Sequence, residues 1–169
     1  MEINNGKHET ITHPLKPLYN NESKILILGS FPSVKTREYG FFYGHPQNRF
    51  WPVMERLFGV ELSREIEVRR DFLLKNKIAV FDSIFQCDIV GSSDASIKNV
   101  KPSDLKNIVE TADIQQVFCN GGTSFKYYKK YHSKVLGLEG IKLPSTSPAN
   151  ARYRLEDLVK EWNIILKYL

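Results

Sequence analysis

Four short segments that are predicted to be strands, each followed directly by small or polar residues, constrain the fold of this chain more than any other feature of its sequence. They occupy residues 25–28, 78–81, 116–119 and 140–143, and segments with helical spacing lie between them. The first run, ILIL, shows no polar alternation, which is typical of a strand buried on both faces. Strands that alternate with helices predict an α/β fold with a mostly parallel, helix-covered sheet of four strands.

The loops after the four runs carry the side chains that are suited to chemistry. Their sequences are GSFPS, DS, NGG and PSTSPAN. In open α/β sheets, ligands bind beyond the carboxyl ends of the strands. We therefore expect the active site where these four loops converge.

The rest of the chain is organised by helical spacing and by turn residues. Helices are expected over residues 48–58, 63–76 and 155–169, and also after Pro102 and after Gly122, while residues 86–96 are expected to form a loop. Residues 1–22 are expected to be an extended N-terminal arm, because Pro14 and Pro17 exclude a long helix. A chain of 169 residues buries one core, so residues 1–169 are interpreted as a single domain.

Charge and composition set limits on the partners and the compartment. The formal net charge of +5 fits either a polyanionic partner or an ordinary solvated basic surface. No apolar run approaches the roughly 20 residues of a membrane span, and the N-terminus lacks a signal-peptide core, which predicts a soluble, cytoplasmic protein without a membrane partner. Cys87 and Cys119 lie too far apart in sequence to suggest a disulfide framework.

Several kinds of active site are disfavoured by the motifs that the loops lack. A phosphate-binding loop needs a GKS or GKT ending or a GxGxxG pattern, and a serine hydrolase needs GxSxG, but none occurs. The four histidines are scattered, which disfavours a metal site. Among the carboxylates near the strand ends, Asp82 and Asp94 fit either the orientation of a water molecule or the capping of a turn.

A site built from amides, hydroxyls and aromatic rings remains. The rings are concentrated in a glycine-broken loop that contains Tyr39, Phe41, Phe42 and Tyr43. Such a site suits a reaction in which the protein supplies position, hydrogen bonds and an electrostatic environment. Hydrolysis of an N-glycosidic bond is a reaction of this kind.

The chain resembles the uracil-DNA glycosylase superfamily, and within it the hypoxanthine-DNA (deoxyinosine) glycosylase branch. The resemblance extends from THPLKPLY in the arm through LILGSFPS, IAVFDSI, GSSDASIKN and FCNGG, and it is most specific in YGHPQNRFW and LPSTSPAN. It implies a three-layer α/β/α sandwich that acts on double-stranded DNA containing a deaminated base. The base would be hypoxanthine, or uracil or xanthine. The resemblance also implies that the enzyme uses no metal and no cofactor.

The resemblance also implies a different position for the catalytic group. The first motif of the superfamily often carries an Asp or Asn that activates water, but Phe31 stands at that position here. The hypoxanthine branch uses the Asn of its HPxN segment, which matches Asn48. We therefore expect Asn48 to position the water, and the same side chain is suited to cap the following helix.

By the same resemblance, three residues are expected to hold the flipped base. Tyr43 stands where relatives stack an aromatic ring, and Phe31 is suited to supply the opposing face. Asn120 offers both a donor and an acceptor to a base edge. Core packing is the alternative role for Tyr43.

The last loop is expected to contact the DNA. The second motif of the superfamily commonly begins with a His or Asn that hydrogen-bonds the leaving base, but Leu143 stands at that position here. The hydroxyls of Ser145, Thr146 and Ser147 are expected to compensate for its absence. The groove-inserting and backbone-contacting residues implied by the resemblance are Ser30, Ser33, Ser145, Thr146, Ser147, Pro148, Ala149, Asn150 and Arg152, with Tyr153 as an alternative to Arg152. Lys126, Lys129, Lys130 and Lys134 form either a basic DNA-binding flank or a solvated helix face.

Two functional hypotheses from different classes stand at this point. The first is a monomeric, monofunctional DNA glycosylase of base excision repair that leaves an abasic site. The second is a non-catalytic module on the same fold that binds damaged DNA or nucleotides, which the replacements at Phe31 and Leu143 keep open. Hydrolysis of free nucleosides is a third alternative, and the LPSTSPAN loop argues against it.

Overall fold

The protein is described by a computed structural model that covers residues 6–169. Within these residues the chain forms seven strands, which are β1 Glu9–Thr12, β2 Ile25–Gly29, β3 Ile78–Asp82, β4 Ile84–Ile89, β5 Lys98–Pro102, β6 Gln116–Asn120 and β7 Gly140–Leu143. The α-helices of the same region are α1 Val34–Tyr39, α2 Phe50–Phe58, α3 Ile66–Lys75, α4 Lys106–Thr111, α5 Gly122–Tyr131, α6 Ser133–Leu136 and α7 Leu155–Trp162.

The four predicted strands form one parallel sheet in the order β3-β2-β6-β7. Every residue of β2 and β3 is buried, which explains why these runs show no polar alternation. The helices flank this sheet, and α2 packs against α7. The predicted α/β fold with a four-stranded parallel sheet is therefore confirmed.

A second sheet, with the order β1-β4-β5, is antiparallel and was not predicted. The prediction of a loop over residues 86–96 is wrong at its start, because residues 86–89 belong to β4. One face of β4 is buried and the other faces solvent, and its partners lie in the N-terminal arm and in residues 98–102. Local sequence did not reveal this strand, because the pairing that defines it joins distant segments.

The N-terminal arm is attached to the rest of the protein at two places. Residues 9–12 pair with β4, and Leu18 forms an isolated antiparallel bridge with Val80 of β3. The first five residues of the predicted arm lie outside the described residues. The arm thus runs past the carboxyl end of β3, where the predicted active site lies.

Three helices differ in extent from the prediction. Helix α3 spans Ile66–Lys75, whereas residues 63–76 were expected to be helical. Helix α2 begins at Phe50, two residues after the predicted start at Asn48. The last predicted helix divides into α7 and a 3-10 helix over Asn163–Tyr168, while its apolar stripe is core as expected, with Leu158, Trp162 and Ile165 fully buried. No helix within residues 6–169 has the length and apolar character needed to cross a membrane.

Strand register brings the four predicted loops together. Gly29 lies opposite Asp82 across β2 and β3, and Asn120 lies opposite Leu143 across β6 and β7. Since all four strands are parallel, their carboxyl ends share one edge of the sheet. The loops that follow therefore surround a single depression at this edge.

Candidate active site

A cavity of about 280 Å³ lies at the carboxyl edge of the parallel sheet. Its volume is close to the lower end of the range for small-molecule sites, which is about 300 to 1,000 Å³. Its walls come from the last residues of β3 and β6, from the end of β4 and the segment after it, from the segments after β2 and β7, and from the aromatic loop. The lining residues are Gly29, Ser30, Phe31, Pro32, Ser33, Thr36, Phe42, Tyr43, His45, Asn48, Asp82, Ile89, Ser92, Asp94, Asn120, Ser145, Thr146, Ser147, Pro148 and Ala149.

Most of the predicted site residues are brought together in this cavity. Asn150 and Arg152 are the two that do not line it. Residues lining the cavity that were not placed in the site from sequence include Thr36, Phe42, His45, Ile89 and Ser92. Asp82 and Asp94 also line it, although the sequence left their roles open. The signal that pointed to them was the position of Asp82 at the predicted end of a strand and of Asp94 in the loop beyond it.

Asn48 stands at the cavity wall, immediately before α2. Its side-chain Oδ1 accepts a hydrogen bond from the N–H of Phe50 at 2.9 Å. An amide oxygen has a second lone pair, and the amino group of the same amide adds two donors. Arg49 is the N-cap residue of α2, so Asn48 lies one residue before the cap and bonds to the first residue of the helix. This contact fixes the orientation of Asn48 and leaves groups that can hold a water molecule.

Tyr43 has its ring between the core and the cavity. The ring stacks on Phe50 with 4.1 Å between centroids and 17° between planes. Burial raises the pKa of the Tyr43 hydroxyl strongly, the negative charge of Asp82 adds to this, and the side chain of Asn120 opposes it. The hydroxyl is near Asn120 but has no partner of normal hydrogen-bond geometry within the described residues.

Phe31 belongs to a small second core as well as to the cavity. It is 8% exposed and packs in a cluster with Ile84 and Tyr127. Its ring meets His13 edge-on, with 5.9 Å between centroids. An aromatic ring thus forms this part of the cavity wall.

The side chain of Asn120 is hydrogen-bonded mainly to the loop after β7. Its Nδ2 donates to Oγ1 of Thr146 at 2.9 Å, and its Oδ1 accepts from the N–H of Thr146 at 3.0 Å. Thr146 is completely buried. Because two of its hydrogen-bonding positions are used in this way, Asn120 has one amide N–H and one lone pair left for a ligand.

Arg49 also holds the loop after β7 by hydrogen bonds. Its guanidinium donates to the carbonyl of Tyr153, to that of Ser147 at 2.8 Å and to that of Asn150 at 2.9 Å. Its backbone N–H donates to the carbonyl of Thr146 at 3.0 Å. The residue next to Asn48 therefore fixes the shape of the loop that faces Asn48 across the cavity.

The serines of the site take part in local hydrogen bonds. Ser33 caps α1 by accepting from the N–H of Thr36 at 3.1 Å. Ser145 and Ser147 accept from backbone N–H groups two residues ahead of them in the same loop. These contacts stabilise the turns in which the hydroxyls lie.

Asp94 lies at the rim of the cavity, where Ser30 donates to its Oδ1 at 3.2 Å. The residue as a whole is exposed, but its carboxyl group is packed against neighbouring atoms. Desolvation raises the pKa of this carboxyl, and hydrogen bonds from Ser30 and Thr123 partly offset the rise. The charge of Asp82 adds to the increase.

The lysines of α5 and its surroundings are exposed and do not line the cavity. Lys126, Lys129 and Lys130 each lie over an aromatic ring of their own helix, at 5.2 to 5.4 Å from its centroid. Arg152 is likewise exposed. A role of these cations in DNA binding stays a prediction.

Comparison with known proteins agrees with this fold. A model of the family described as "Uracil DNA glycosylase superfamily" matches residues 16–167. A protein of Methanosarcina barkeri named hypoxanthine DNA glycosylase is 31% identical over 141 residues, which cover 80% of this chain and 86% of that protein. A protein of the same name from Methanosarcina acetivorans is 27% identical over 150 residues, which cover 88% of this chain and 94% of that protein.

A solved structure extends the comparison to three dimensions. The solution NMR structure of a candidate uracil DNA glycosylase from Methanosarcina acetivorans superposes with a TM-score of 0.78 at 25% sequence identity. The match covers 94% of this chain and 98% of that chain. With a family match over nearly the whole chain, the protein belongs to the uracil-DNA glycosylase superfamily and is an enzyme of the DNA glycosylase class.

Proposed function

We propose that this enzyme removes a deaminated base from double-stranded DNA by hydrolysing its N-glycosidic bond, and that hypoxanthine is its main substrate. Uracil and xanthine are the other bases that we propose to test. Two relatives that match most of the chain are named hypoxanthine DNA glycosylase, which supports this choice. The observation that carries the proposal is the single cavity that has Asn48 in one wall and residues 145–149 in another.

A base in a duplex reaches such a cavity only after it leaves the stack. Flipping costs a few kcal/mol, and the cost is least for a damaged or mispaired base. In the proposed complex, the ring of Tyr43 stacks on the flipped base, and Phe31 contributes a second apolar surface. Tyr43 is held in place for this role by its stacking on Phe50. The remaining N–H and lone pair of Asn120 face the base edge.

Asn48 is the proposed catalytic residue. As the glycosidic bond breaks, the sugar becomes an oxocarbenium-like cation and the base leaves with negative charge. The role of Asn48 is to hold one water molecule beside the anomeric carbon through the lone pair and the N–H groups that helix capping leaves free. The abasic site is the product on the DNA, and the free base is the other product.

The loop over residues 145–150 is proposed to enter the minor groove. Pro148 and Ala149 are exposed at its tip, and small apolar residues of this kind can fill the gap that a flipped base leaves. Arg49 and Asn120 hold the loop from two sides, so its shape is set before DNA binds. Such preorganisation lowers the entropy that ordering the loop costs on binding. Ser30, Ser33, Ser145 and Arg152 are the proposed contacts to the DNA backbone.

The function is tested by incubating the purified protein with labelled duplexes that contain one deoxyinosine, deoxyuridine, deoxyxanthosine or deoxyadenosine at the same position. We expect release of free base and an alkali-labile abasic site, fastest from deoxyinosine, in the presence of a metal chelator. Binding to the same duplexes is measured in parallel. Binding to damaged DNA without release of any base would contradict the proposal and favour the non-catalytic module.

The site is also proposed to work within one chain. We propose that residues 1–169 form a single domain that acts as a monomer in the cytoplasm. Sedimentation of the protein alone and with a deoxyinosine duplex tests the monomer. A dimer in either measurement would contradict that part of the proposal.

A further inference from the structure

The backbone of Tyr43 is held in a conformation that few tyrosines adopt. Its φ is 54°, in the left-handed region where a residue with a Cβ is strained. Such a conformation costs free energy and persists only where surrounding contacts maintain it. The direction of the Tyr43 ring depends on this φ, because φ sets the course of the chain at the residue that carries the ring. The contacts that maintain the backbone therefore also determine where the ring lies.

Both peptide neighbours of the strained tyrosine are hydrogen-bonded to other parts of the chain. Before it, the carbonyl of Phe42 accepts from Nε1 of Trp51 on α2 at 3.2 Å. After it, the N–H of Gly44 donates to Oγ1 of Thr36 on α1 at 3.1 Å. The carbonyl of Gly44 accepts from Nη2 of Arg64, just before α3, at 3.0 Å. The start of α3 is thus bonded directly to the loop that carries the ring.

Arg64 is held in place by Tyr39, the last residue of α1. The guanidinium of Arg64 lies 4.7 Å from the centroid of the Tyr39 ring, and the Tyr39 hydroxyl donates back to the carbonyl of Arg64. The Tyr39 ring also packs on Gly44, where an added Cβ would lie 2.5 Å from Cδ2 of the ring. Arg64, Tyr39 and Gly44 therefore form a closed set of contacts, in which each residue touches the other two.

Arg69 extends these contacts to a second ring. It is 5% exposed, and its guanidinium lies 4.7 Å from the ring centroid of Trp51 and 5.5 Å from that of Tyr39. Its Nε donates to the carbonyl of Ser63 at 3.2 Å, and no carboxylate forms an ion pair with it within residues 6–169. Two aromatic faces thus take the place of a counter-ion. The cation joins the two rings that hold the segment around Tyr43.

We infer that Arg64 and Arg69 are positioning residues for base binding, which act through the backbone of Tyr43 and do not contact the base. Neither arginine lines the cavity. Together they connect the start of α3 to the ring on which the flipped base is proposed to stack. In this last respect the inference rests on the proposed function, while the effect of the arginines on Tyr43 can be measured in the protein without DNA.

The first test measures the position of the Tyr43 ring in the free protein. In a sample with isotopically labelled tyrosine and phenylalanine rings, nuclear Overhauser contacts between Tyr43 and Phe50 report their stacking at 4.1 Å. We expect Arg64→Met and Arg69→Met each to weaken these contacts and to shift the Tyr43 ring resonances. Arg70→Met is the matched control, because Arg70 is exposed on α3 directly after Arg69. Unchanged contacts between the two rings in both variants would overturn the inference.

The second test determines whether Arg64 acts through Tyr43. Binding is measured to a duplex that contains 2′-fluoro-deoxyinosine, which resists hydrolysis, beside 2-aminopurine, whose fluorescence rises when its neighbour leaves the stack. We expect Arg64→Met to weaken binding about 5- to 10-fold and to reduce the rise in fluorescence. In a Tyr43→Ala background the same substitution should change binding less than about twofold. Equal effects in the two backgrounds would show that Arg64 acts independently of Tyr43 and would overturn the inference.

The outcomes separate this inference from the proposed function. If the wild-type protein releases no base while the contacts between Tyr43 and Phe50 weaken in Arg64→Met, the proposed hydrolysis fails and the positioning role stands. If the wild-type protein and Arg64→Met release base equally fast and the ring contacts are unchanged, the positioning role is overturned. Since Arg64 is exposed, Arg64→Met decides the question where the buried substitution Arg69→Met does not fold.

Discussion

Asn120 and Thr146 form a two-bond clamp between the end of β6 and the loop after β7. The Nδ2 of Asn120 donates to the hydroxyl of Thr146, and the backbone N–H of Thr146 donates to Oδ1 of Asn120, at 2.9 and 3.0 Å. The two residues are 26 positions apart in the chain and both are buried. Through this clamp, the parallel sheet determines where residues 145–150 lie.

Replacing Thr146 with Val tests the clamp, because Val preserves the shape of the side chain and removes its hydroxyl. The Nδ2 of Asn120 is then left without its partner in a buried position. We expect the free energy of unfolding to fall by about 1 to 2 kcal/mol and base release to fall with it. Urea denaturation and the deoxyinosine assay measure the two effects. An unchanged free energy of unfolding would show that the two hydrogen bonds between Asn120 and Thr146 contribute nothing to stability.

Substitution of Asn48 separates its proposed catalytic role from its capping role. Asn48→Ala removes both, so we expect a loss of about 1 kcal/mol in stability and a loss of about 10²- to 10⁴-fold in base release. Asn48→Ser retains a capping oxygen but is too short to hold the water. Base release by Asn48→Ser near the wild-type rate would contradict the catalytic role, whereas DNA affinity should change little in either variant.

Arg49 is predicted to support the function through the loop that it braces. Arg49→Met retains the apolar stem and removes the donors to three carbonyl groups. We expect about 2 kcal/mol of destabilisation and weaker binding to a deoxyinosine duplex, with a higher KM. Arg56→Met is the control, because Arg56 lies on α2, the helix that Arg49 precedes, in an exposed ion pair with Glu156. Equal effects of the two substitutions would contradict the prediction that Arg49 supports the function by holding this loop.

A methyl group at Gly29 should displace the carboxylate of Asp82. The added Cβ would lie 2.4 Å from Oδ1, so either the strand or the carboxylate must move. We expect Gly29→Ala to lower base release at least about tenfold. Gly122→Ala is the matched control, since a Cβ there meets nothing within 4 Å. Similar base release by the two variants would show that the position of Asp82 is not critical.

His132 should make the stability of the fold depend on pH. Burial lowers the pKa of this histidine from 6.5, although its hydrogen bond to the carbonyl of Ser83 partly opposes the shift. The unfolded chain therefore binds a proton more readily, and the free energy of unfolding decreases as the pH falls below 6.5. His132→Gln should flatten this decrease. Urea denaturation between about pH 8 and about pH 5 measures it, with exposed His8→Gln as the control.

The parallel sheet could be predicted because its signals are local. The runs of β2 and β3 are buried along their whole length, and the turn residues after each strand mark its end. Parallel strands place their carboxyl ends at one edge, so the loops after these strands meet there and form most of the cavity. Asn48 is the exception, because it lies immediately before α2. The second sheet could not be predicted in this way, because Thr10 and Thr12 pair with β4 across more than 70 residues.

The sequence by itself determined the four strands, the edge at which the site lies and the family to which the chain belongs. Tertiary structure alone decided which side chains meet there. His13 reaches Asp82 from the arm, and Arg49 reaches Tyr153 across 104 positions of the chain. The physical reason is that strand formation depends on nearby residues, whereas hydrogen bonds between side chains depend on packing that local patterns do not encode.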